Sequence, residues 1–581
     1  MFNFAHRAYI FVKKRITKFS PVGDKSQKII EMNMRSINTI FFAFIFQLIT
    51  VAIFAQKQKL DLIVHNANIY TVNAQFETVE AFAVDNGRFV AIGSTDQILD
   101  EYSSDAVVNA EGRFIYPGFN DGHSHFLGYG MTKTKYANLV GTTSYDEVIE
   151  RLAGHLEKYP SEWVLGRGWD QNDWENQSWP SKEKLDELFP DNPVVLTRID
   201  GHAVLINSKA LQIAGIDYRA KVDGGEILLK NGEPTGVLID NAIGLIRTFI
   251  PDFSISDKTK ALLEAEKDCF AAGLTTVTDA GLDKLEVQLI DSLQIAGELK
   301  MRVYAMLSPT QENFDFYFPK GPIHTGRLTV SSVKLYADGA LGSRGALLLK
   351  PYSDDPENSG LQLHPNAYYQ KVCKMAYEAG YQVNTHAIGD SGNRLMLKTY
   401  AQFLQEKNDR RWRAEHAQIV RPEDLHYFKD YSIIPSVQAT HCTSDMYWAD
   451  ERLGPGRIKT AYAYKQLLLQ NGWLINGTDF PIEAIHPLKT FYAAVARMDE
   501  KGWPEGGFQM ENAISREEAL RSITIWPAKG SFDEKEKGSI EIGKLADFVV
   551  LEKDLLTVPV EELPNIQILG TYVEGELVFG E

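Results

Sequence analysis

The stretch that decides the fold is Phe114-Ile115-Tyr116-Pro117-Gly118-Phe119-Asn120-Asp121-Gly122-His123-Ser124-His125. Its apolar start predicts a strand from Phe114 to Asn120, and two histidines one residue apart follow. Side chains on an extended chain alternate with period two, so both imidazoles point to the same face. Two such imidazoles can share a zinc-like ion and leave an open position for water or substrate. Alone, a His-x-His pair is weak evidence, because short motifs also match by chance.

Composition narrows the class of protein. The chain has 581 residues, of which 44% are hydrophobic, and this length suits a large barrel with an accessory domain. Its formal net charge of −17 argues against nucleic acid as a partner, because phosphates would be repelled. Three widely spaced cysteines indicate neither a disulfide framework nor a thiolate metal site. Any bound metal must therefore use nitrogen and oxygen ligands.

Residues 1–56 have the order of a secretory leader. The basic stretch Lys13-Lys14-Arg15 and Arg35 precede an apolar run from Ile37 to Ala55, and polar residues follow. We expect cleavage after Ala55 and export to the periplasm or the cell exterior, with membrane contact only through the leader. The alternative is a retained membrane anchor, because the apolar run approaches the length that spans a bilayer.

Short β-rich runs occur at both ends of the mature chain, in residues 57–113 and 530–581. Ala81 to Val84 and Phe89 to Gly93 flank an Asn-Gly turn, and Gly543 to Leu551 has the same character near the carboxyl end. We predict that the two ends combine into one composite β-sandwich. Residues 114–529 would then lie in the chain between the two halves of this domain.

Between these ends, residues 114–529 alternate strand and helix, which is typical of βα units around a parallel sheet. Predicted helices include Lys258 to Ala272 and Ala367 to Gly380. The first strand is followed by seven more, which makes a closed (β/α)₈ barrel with its chemistry at the carboxyl ends of the strands. The seven are predicted at Leu274 to Ala280, Arg302 to Leu307, Val333 to Ala337, Tyr381 to Thr385, Arg413 to Glu415, Ile433 to Val437 and Trp473 to Asn476.

Polar residues stand where several of these strands end. His386, His416 and Asp479 each begin the loop after a predicted strand, and any one of them could be an ordinary polar residue there. Lys334 lies inside an apolar strand, where a lysine is costly unless it is paired or neutralised. Reaction with CO₂ would turn Lys334 into a carbamate able to bridge two cations. The alternative is an ion pair with an acidic neighbour.

Together these residues resemble the metal-binding set of the amidohydrolase superfamily. The set is His123, His125, Lys334, His386, His416 and Asp479, on strands one, four, five, six and eight. The segments Ala337 to Ala346, Gly168 to Gln171 and Asn476 to Pro481 resemble its YtcJ-like branch, which includes N-substituted formamide deformylases. The resemblance covers Asp61 to Glu581. It implies a distorted (β/α)₈ TIM barrel, a sandwich built from both termini, and an insertion after the first strand at about residues 136–253.

The resemblance also implies roles. His123 and His125 would bind one divalent metal, which the resemblance implies is zinc, and His386 and His416 would bind a second, with carboxylated Lys334 between them. Asp479 would bind the first metal, take a proton from metal-activated water and pass it to the leaving nitrogen of a C–N bond. If Lys334 stays unmodified, a site with a single metal ion is the alternative.

A small-molecule substrate is expected to contact Trp169, His202 and Arg344, and His441 is a further candidate contact. The alternatives are that Trp169 belongs to a core with Trp174 and Trp179, and that Arg344 forms a surface ion pair. Ester or lactone hydrolysis, or an isomerisation, is open on the same scaffold, as is a non-catalytic exported binding protein. The sequence leaves the oligomeric state open, including a homo-oligomer.

Overall fold

The computed structural model describes residues 57–580, and the larger of two compact units comprises residues 60–98 and 104–581. The predicted leader, residues 1–56, lies outside the described residues, so its cleavage and the resulting export stay predictions. Every helix within residues 57–580 is too short or too polar to cross a bilayer.

Eight parallel strands follow one another in chain order around a nearly closed barrel. The predicted fold class is therefore confirmed, and the carboxyl ends of these strands define the edge at which chemistry is expected. We number the strands β1 to β8: Phe119–Ser124, Leu274–Leu282, Arg302–Leu307, Leu328–Tyr336, Gln382–Ala387, Arg413–His416, Ile434–Val437 and Ile475–Asn476. A short strand, Ile323–His324, pairs antiparallel with β4.

The predicted first strand, Phe114 to Asn120, is wrong in its boundaries. The run divides at Pro117 and Gly118, so that Phe114–Pro117 pairs antiparallel with Phe548–Leu551 and β1 begins at Phe119. A Cβ on Gly118 would lie 2.4 Å from the hydroxyl of Thr275, so only glycine allows this close crossing between two sheets. β4 begins five residues before its predicted start, and the other barrel strand ends agree to within two residues.

The barrel closes without a full ladder between β8 and β1. Instead, the backbone N–H of Asp479 donates to the carbonyl oxygen of His123 at 2.8 Å, and the Thr478 hydroxyl donates to Asp121 at 2.7 Å. A Cβ on Gly477 would lie 2.4 Å from the backbone nitrogen of His123. This close approach places the end of β1 directly beside the residues that follow β8.

Residues from both ends of the mature chain share two further sheets, with Phe82, Phe89 and Phe548 packed edge-on between them. The first sheet has the order Arg88–Gly93, Ala81–Asp85, Gln58–His65 and Tyr102–Asn109. The second has the order Glu576–Gly580, Ile568–Val573, Phe548–Leu551, Phe114–Pro117, Asn68–Tyr70 and Thr78–Val79. Chain segments that are more than 400 residues apart in sequence thus form one sheet.

A separate six-stranded sheet lies in the chain between β1 and β2. Its strands, in spatial order, are Gly225–Lys230, Glu233–Asp240, Ala203–Ile206, Val194–Arg198, Val164–Trp169 and Ala137–Asn138. Buried tryptophans and aliphatic side chains give this insertion a core of its own.

Helices connect and cover the strands, and their ends follow from local sequence. Ser254 and Asp257 form a capping box at the start of Ile255–Ala271, and Gly380, with φ 80°, ends Asn366–Ala379. These two helices match the predicted Lys258 to Ala272 and Ala367 to Gly380. Within residues 57–580, the other α-helices are Thr95–Glu101, Phe126–Lys135, Tyr145–Lys158, Glu183–Leu188, Ser208–Ala214, Gly244–Arg247, Lys284–Ile295, Gln311–Tyr317, Asp390–Leu404, His426–Asp430, Ala439–Asp445, Ala449–Arg457, Tyr464–Asn471, Pro487–Ala496, Arg516–Ser522 and Ile525–Gly530.

Candidate active site

A cavity of about 990 Å³ opens at the carboxyl ends of the barrel strands. Most of the residues predicted for the site line it, and His123 lies fully buried behind His125 and Asp479. The strands thus bring together side chains that are separated by more than 350 positions in the chain. The predicted residues that line the cavity are His125, His202, Lys334, His386, His416, His441 and Asp479.

Asp479 lies at the centre of this arrangement. Its Oδ1 is 3.3 Å from Nε2 of His125 and 3.6 Å from Nε2 of His123. Its Oδ2 is 3.6 Å from Nε2 of His441 and 4.0 Å from Nδ1 of His416. The carboxylate therefore belongs to two groups that could each hold a metal ion, one with His123 and His125 and one with His416 and His441.

The donor set fits a divalent metal. Oδ1 of Asp479 and Nε2 of His441 are buried and have no hydrogen-bond partner among residues 57–580. Buried polar atoms normally have partners, and a cation would satisfy both of these. Imidazole nitrogen and carboxylate oxygen are also the donors that zinc and similar ions accept.

The electrostatic environment of the site shifts the pKa values of its carboxyl group and imidazoles in the direction that metal binding needs. Burial acts to raise the pKa of Asp479, but the surrounding His125, His123 and His416 lower it well below its ordinary value. Burial lowers the pKa of His386 and His416 well below the usual histidine range. Lowered pKa values of the carboxyl group and of these imidazoles are the direction that metal binding requires, because ligands bind in their deprotonated form.

Two backbone conformations in the site are unusual. His416 has φ 68° and Asp479 has φ 59°, a region that residues other than glycine rarely occupy. Such conformations cost free energy and persist where surrounding contacts impose them, often at functional sites. They turn the chain sharply as it leaves β6 and β8.

Buried polar residues hold the imidazoles in place. Nδ1 of His123 is 2.6 Å from Oε2 of Glu415, and Nδ1 of His416 is 2.6 Å from Oε1 of Gln438. Partners of this kind fix the ring orientation and the tautomer of a metal ligand. The sequence analysis missed Glu415 and Gln438. The one available signal was that Glu415 is a carboxylate inside a short buried strand, where an ionised group needs a partner.

His386 and His202 extend the cluster. The ring of His386 lies 4.6 Å from that of His416, centroid to centroid, and its Nε2 is 3.4 Å from the carbonyl oxygen of Gly339. The His202 ring is 4.7 Å from the His386 ring, and its Nδ1 is 2.6 Å from Asp240. His386 is absent from both metal groups defined by distance within residues 57–580. It stays a predicted ligand.

Comparison with known proteins decides the family. A family model described as the amidohydrolase family matches residues 106–579. The chain belongs to the amidohydrolase family. It is 32% identical to the putative amidohydrolase YtcJ of Bacillus subtilis (strain 168), with 89% of this chain and 98% of that protein covered. It is 27% identical to the N-substituted formamide deformylase of Arthrobacter pascens, with 90% and 98% covered.

Solved structures agree with this assignment. The crystal structure of an uncharacterized metal-dependent hydrolase from Pyrococcus horikoshii OT3 superimposes with a TM-score of 0.71 at 27% identity, covering 86% of this chain and 99% of that one. This amidohydrolase is thus a metal-dependent hydrolase that acts on carbon–nitrogen bonds. The resemblance to the YtcJ-like branch and the prediction of an enzyme are confirmed, against the alternative of a binding protein.

Two predicted substrate contacts of the amidohydrolase lie elsewhere. Trp169 is 1% exposed, donates from Nε1 to the carbonyl oxygen of Leu196 at 2.9 Å, and packs in the core of the insertion. Arg344 pairs with Asp354 at 2.8 Å and does not line the cavity. Both side chains have partners that the sequence could not reveal, and neither lines the cavity.

Proposed function

We propose that this amidohydrolase is an exported enzyme that hydrolyses the amide-type C–N bond of a small molecule, with one or two divalent ions, zinc foremost. The observation that carries the proposal is the position of Asp479 between two groups of imidazoles. The N-substituted formamide deformylase of Arthrobacter pascens supports an amide substrate, because it resembles this chain over nearly its whole length.

Different residues of the site have different roles in hydrolysis. His123, His125, His416, His441 and Asp479 offer the donor atoms, with His386 as a further predicted ligand. When bound, a divalent ion acidifies water and polarises a carbonyl group. Asp479 is the only ionised carboxylate in both groups, so it is placed to accept a proton from the attacking water and return it to the departing nitrogen. Glu415 and Gln438 keep the imidazoles oriented throughout.

His202 is the proposed contact for the substrate carbonyl. It lines the cavity beside His386, and its Nδ1 is engaged by Asp240 at 2.6 Å. The ring is therefore held so that its second nitrogen is available to the substrate.

Lys334 is proposed to carry a carbamate. Its Nζ lies 3.1 Å from Nε2 of His123, and no carboxylate oxygen of residues 57–580 forms an ion pair with it within 4.0 Å. Reaction of the amine with CO₂ gives the carbamate and releases one proton. Isotope-labelled bicarbonate should give a carbamate signal in carbon NMR that the Lys334→Ala variant lacks; an identical signal in both proteins would rule out this site.

Export is proposed from the sequence of residues 1–56, where a basic stretch precedes an apolar run that ends at Ala55. Amino-terminal sequencing of secreted or periplasmic protein should begin near Gln56. A mature chain that still carries Phe41 to Phe46 would show that the segment is retained as an anchor.

The hydrolytic activity can be tested on the mature chain, loaded with zinc. We expect it to release acid from N-formyl and N-acyl amines, and we expect Asp479→Asn to lose turnover while its circular dichroism stays unchanged. Full activity in Asp479→Asn would remove this residue from the mechanism. Activity on lactones or esters but not on amides would replace the proposed bond type.

A further inference from the structure

One part of the cavity wall carries positive charge that the protein does not neutralise. Four arginine and lysine side chains besides Lys334 line the cavity: Arg167, Arg198, Arg247 and Lys258. Arg198 is paired with Asp170 and Asp200, and Lys258 is paired with Glu286 at 2.8 Å. Among residues 57–580, no carboxylate oxygen lies within 4.0 Å of Arg167 or Arg247.

Arg167 is the more buried of the two. Its Nε is buried and has no hydrogen-bond partner within residues 57–580, and its Nη2 donates only a long bond, at 3.3 Å, to the carbonyl oxygen of Ile199. A guanidinium group offers five donors in a planar fork that matches a carboxylate. Most of the donors of Arg167 are therefore free to bind a group in the cavity.

Arg167 also lies beside the segment that carries His202. Its Nη2 is 3.5 Å from the position that a Cβ on Gly201 would take. Gly201 precedes His202, whose ring is 4.7 Å from that of His386. A group bound by Arg167 would thus lie in the same cavity as His202 and His386.

Arg247 and Tyr136 face the same region. Tyr136, Arg167 and Arg247 all line the cavity, and burial raises the pKa of Tyr136 while the positive charges of both arginines counteract part of that rise. Burial lowers the pKa of Arg167 itself, and the nearby Asp200 and Asp479 offset this only in part. A charge that is buried with so little compensation is costly unless a ligand brings the opposite charge.

Two of the acidic side chains that line the cavity, Asp445 and Glu483, accept hydrogen bonds from neighbouring hydroxyl groups. The Tyr462 hydroxyl donates to Asp445 at 2.7 Å, and the Ser444 hydroxyl donates to Glu483 at 2.7 Å. These acids already have donors within the protein, whereas Arg167 and Arg247 lack acceptors of opposite charge.

We infer that Arg167, with Arg247 and Tyr136 beside it, binds an anionic group of the substrate, so that the enzyme prefers small amides carrying a carboxylate a few bonds from the scissile C–N bond. This inference rests on the proposed amide hydrolysis. It adds the charge of the substrate and the residue that selects it.

A matched pair of compounds tests the inference: N-formylphenylalanine and N-formyl-2-phenylethylamine, which differ only by the carboxylate. Formate release by the zinc-loaded mature enzyme should show a higher kcat/KM for the acid, on the order of 10- to 100-fold. Arg167→Met should keep its metal content and lose most of this preference, measured as the ratio of kcat/KM for the acid to kcat/KM for the neutral amide in the same variant. Arg219→Met removes an exposed arginine that is paired with Asp217 outside the cavity, and it should keep the full preference.

Measuring the binding of the two compounds, apart from their hydrolysis, distinguishes failure of this inference from failure of the proposed function. If neither compound is hydrolysed, the proposed hydrolysis of N-formyl amides is wrong. Calorimetric titration of both compounds then tests whether Arg167 binds the carboxylate. Tighter binding of the acid that is lost in Arg167→Met supports the inference. Equal binding, no binding of the acid, or a preference that survives Arg167→Met overturns it. If Arg167→Met does not fold, Arg247→Gln, at an exposed position, is judged by the same criterion.

Discussion

Nδ1 of His123 and Oε2 of Glu415 lie 2.6 Å apart in the interior of the barrel, and both side chains are fully buried. Because β6 supplies Glu415 and β1 supplies His123, the contact crosses the barrel. Burial acts to raise the pKa of Glu415, but His123 beside it, helped by Arg413 and Lys334, lowers it below its usual value. An ionised carboxylate therefore holds the ring that presents Nε2 toward Asp479.

Glu415→Gln is predicted to weaken metal binding. The amide keeps the size of the side chain but removes the negative charge that orients His123, and loss of such a partner typically costs about 10- to 100-fold in metal affinity. Competition with a fluorescent chelator measures the change. Glu423→Gln, at an exposed ion pair, should leave the affinity unaltered, and equal affinity in both variants would contradict the role of Glu415.

Gly477→Ala is predicted to disturb the seam between β8 and β1. Its Cβ would lie 2.4 Å from the nitrogen and 2.8 Å from the oxygen of the His123 backbone, which cannot move without shifting a predicted ligand. We expect a loss of about 1–3 kcal/mol in the free energy of unfolding, together with reduced activity.

Gly456→Ala is the control for this substitution. A Cβ at Gly456 meets no described atom within 4 Å, so stability should change by no more than about 0.5 kcal/mol. Equal stability and activity of the two alanine variants, measured by urea unfolding and substrate turnover, would show that the seam tolerates a side chain.

Asp547→Asn is predicted to destabilise the protein in a pH-dependent way. Asp547 accepts from Nε of Arg302 at 2.7 Å and from Nη2 at 3.2 Å, and both side chains are nearly fully buried. Breaking this pair leaves the buried Arg302 with only the partly exposed Glu574 as a charged partner, and it costs about 3 kcal/mol at neutral pH.

The sign of the pH effect follows from the pKa of Asp547. Burial acts to raise this pKa, but Arg302 lowers it below the ordinary value of 3.8. The stabilisation is therefore present above about pH 4 and is lost as the pH falls through the folded-state pKa. Urea unfolding should show a large gap between wild type and Asp547→Asn at pH 7 that narrows toward pH 3; a constant gap would contradict the ion pair.

His202→Gln is predicted to impair catalysis without removing metal. His202 lines the cavity, and it belongs to neither metal group found within residues 57–580. Loss of a substrate contact should lower kcat/KM by roughly 10- to 100-fold, since a hydrogen bond to the developing charge is lost. Steady-state kinetics and metal analysis check this, and an unaltered kcat/KM would exclude the contact.

Much of the barrel could be predicted because its signals are local. Apolar runs that end in polar residues identify strands whose carboxyl ends meet, which correctly placed His125, Lys334 and Asp479 at one cavity. The first strand was misplaced because Phe114–Pro117 is the apolar run, whereas β1 is buried but mostly polar, so hydrophobicity alone marked the wrong segment as the barrel strand.

Partners that are distant in sequence could not be predicted. Glu415 contacts a residue 292 positions away, and Asp547 contacts one 245 positions away. Arg344 was predicted to bind substrate from its expected place near the barrel mouth, and Trp169 from its place in an aromatic cluster, whereas Asp354 and the core of the insertion determine where they lie. Residue type suggests chemistry, and only tertiary packing decides which side chains reach the cavity.

Metal content tests the central claim most directly. We predict that the mature wild-type protein, expressed with added zinc and then desalted, retains about one or two equivalents of divalent metal. Asp479→Ala, which removes the donor shared by both groups, should lose most of it while remaining folded. A wild-type protein that retains no metal, or an Asp479→Ala variant that retains all of it, would contradict a metal centre built around Asp479.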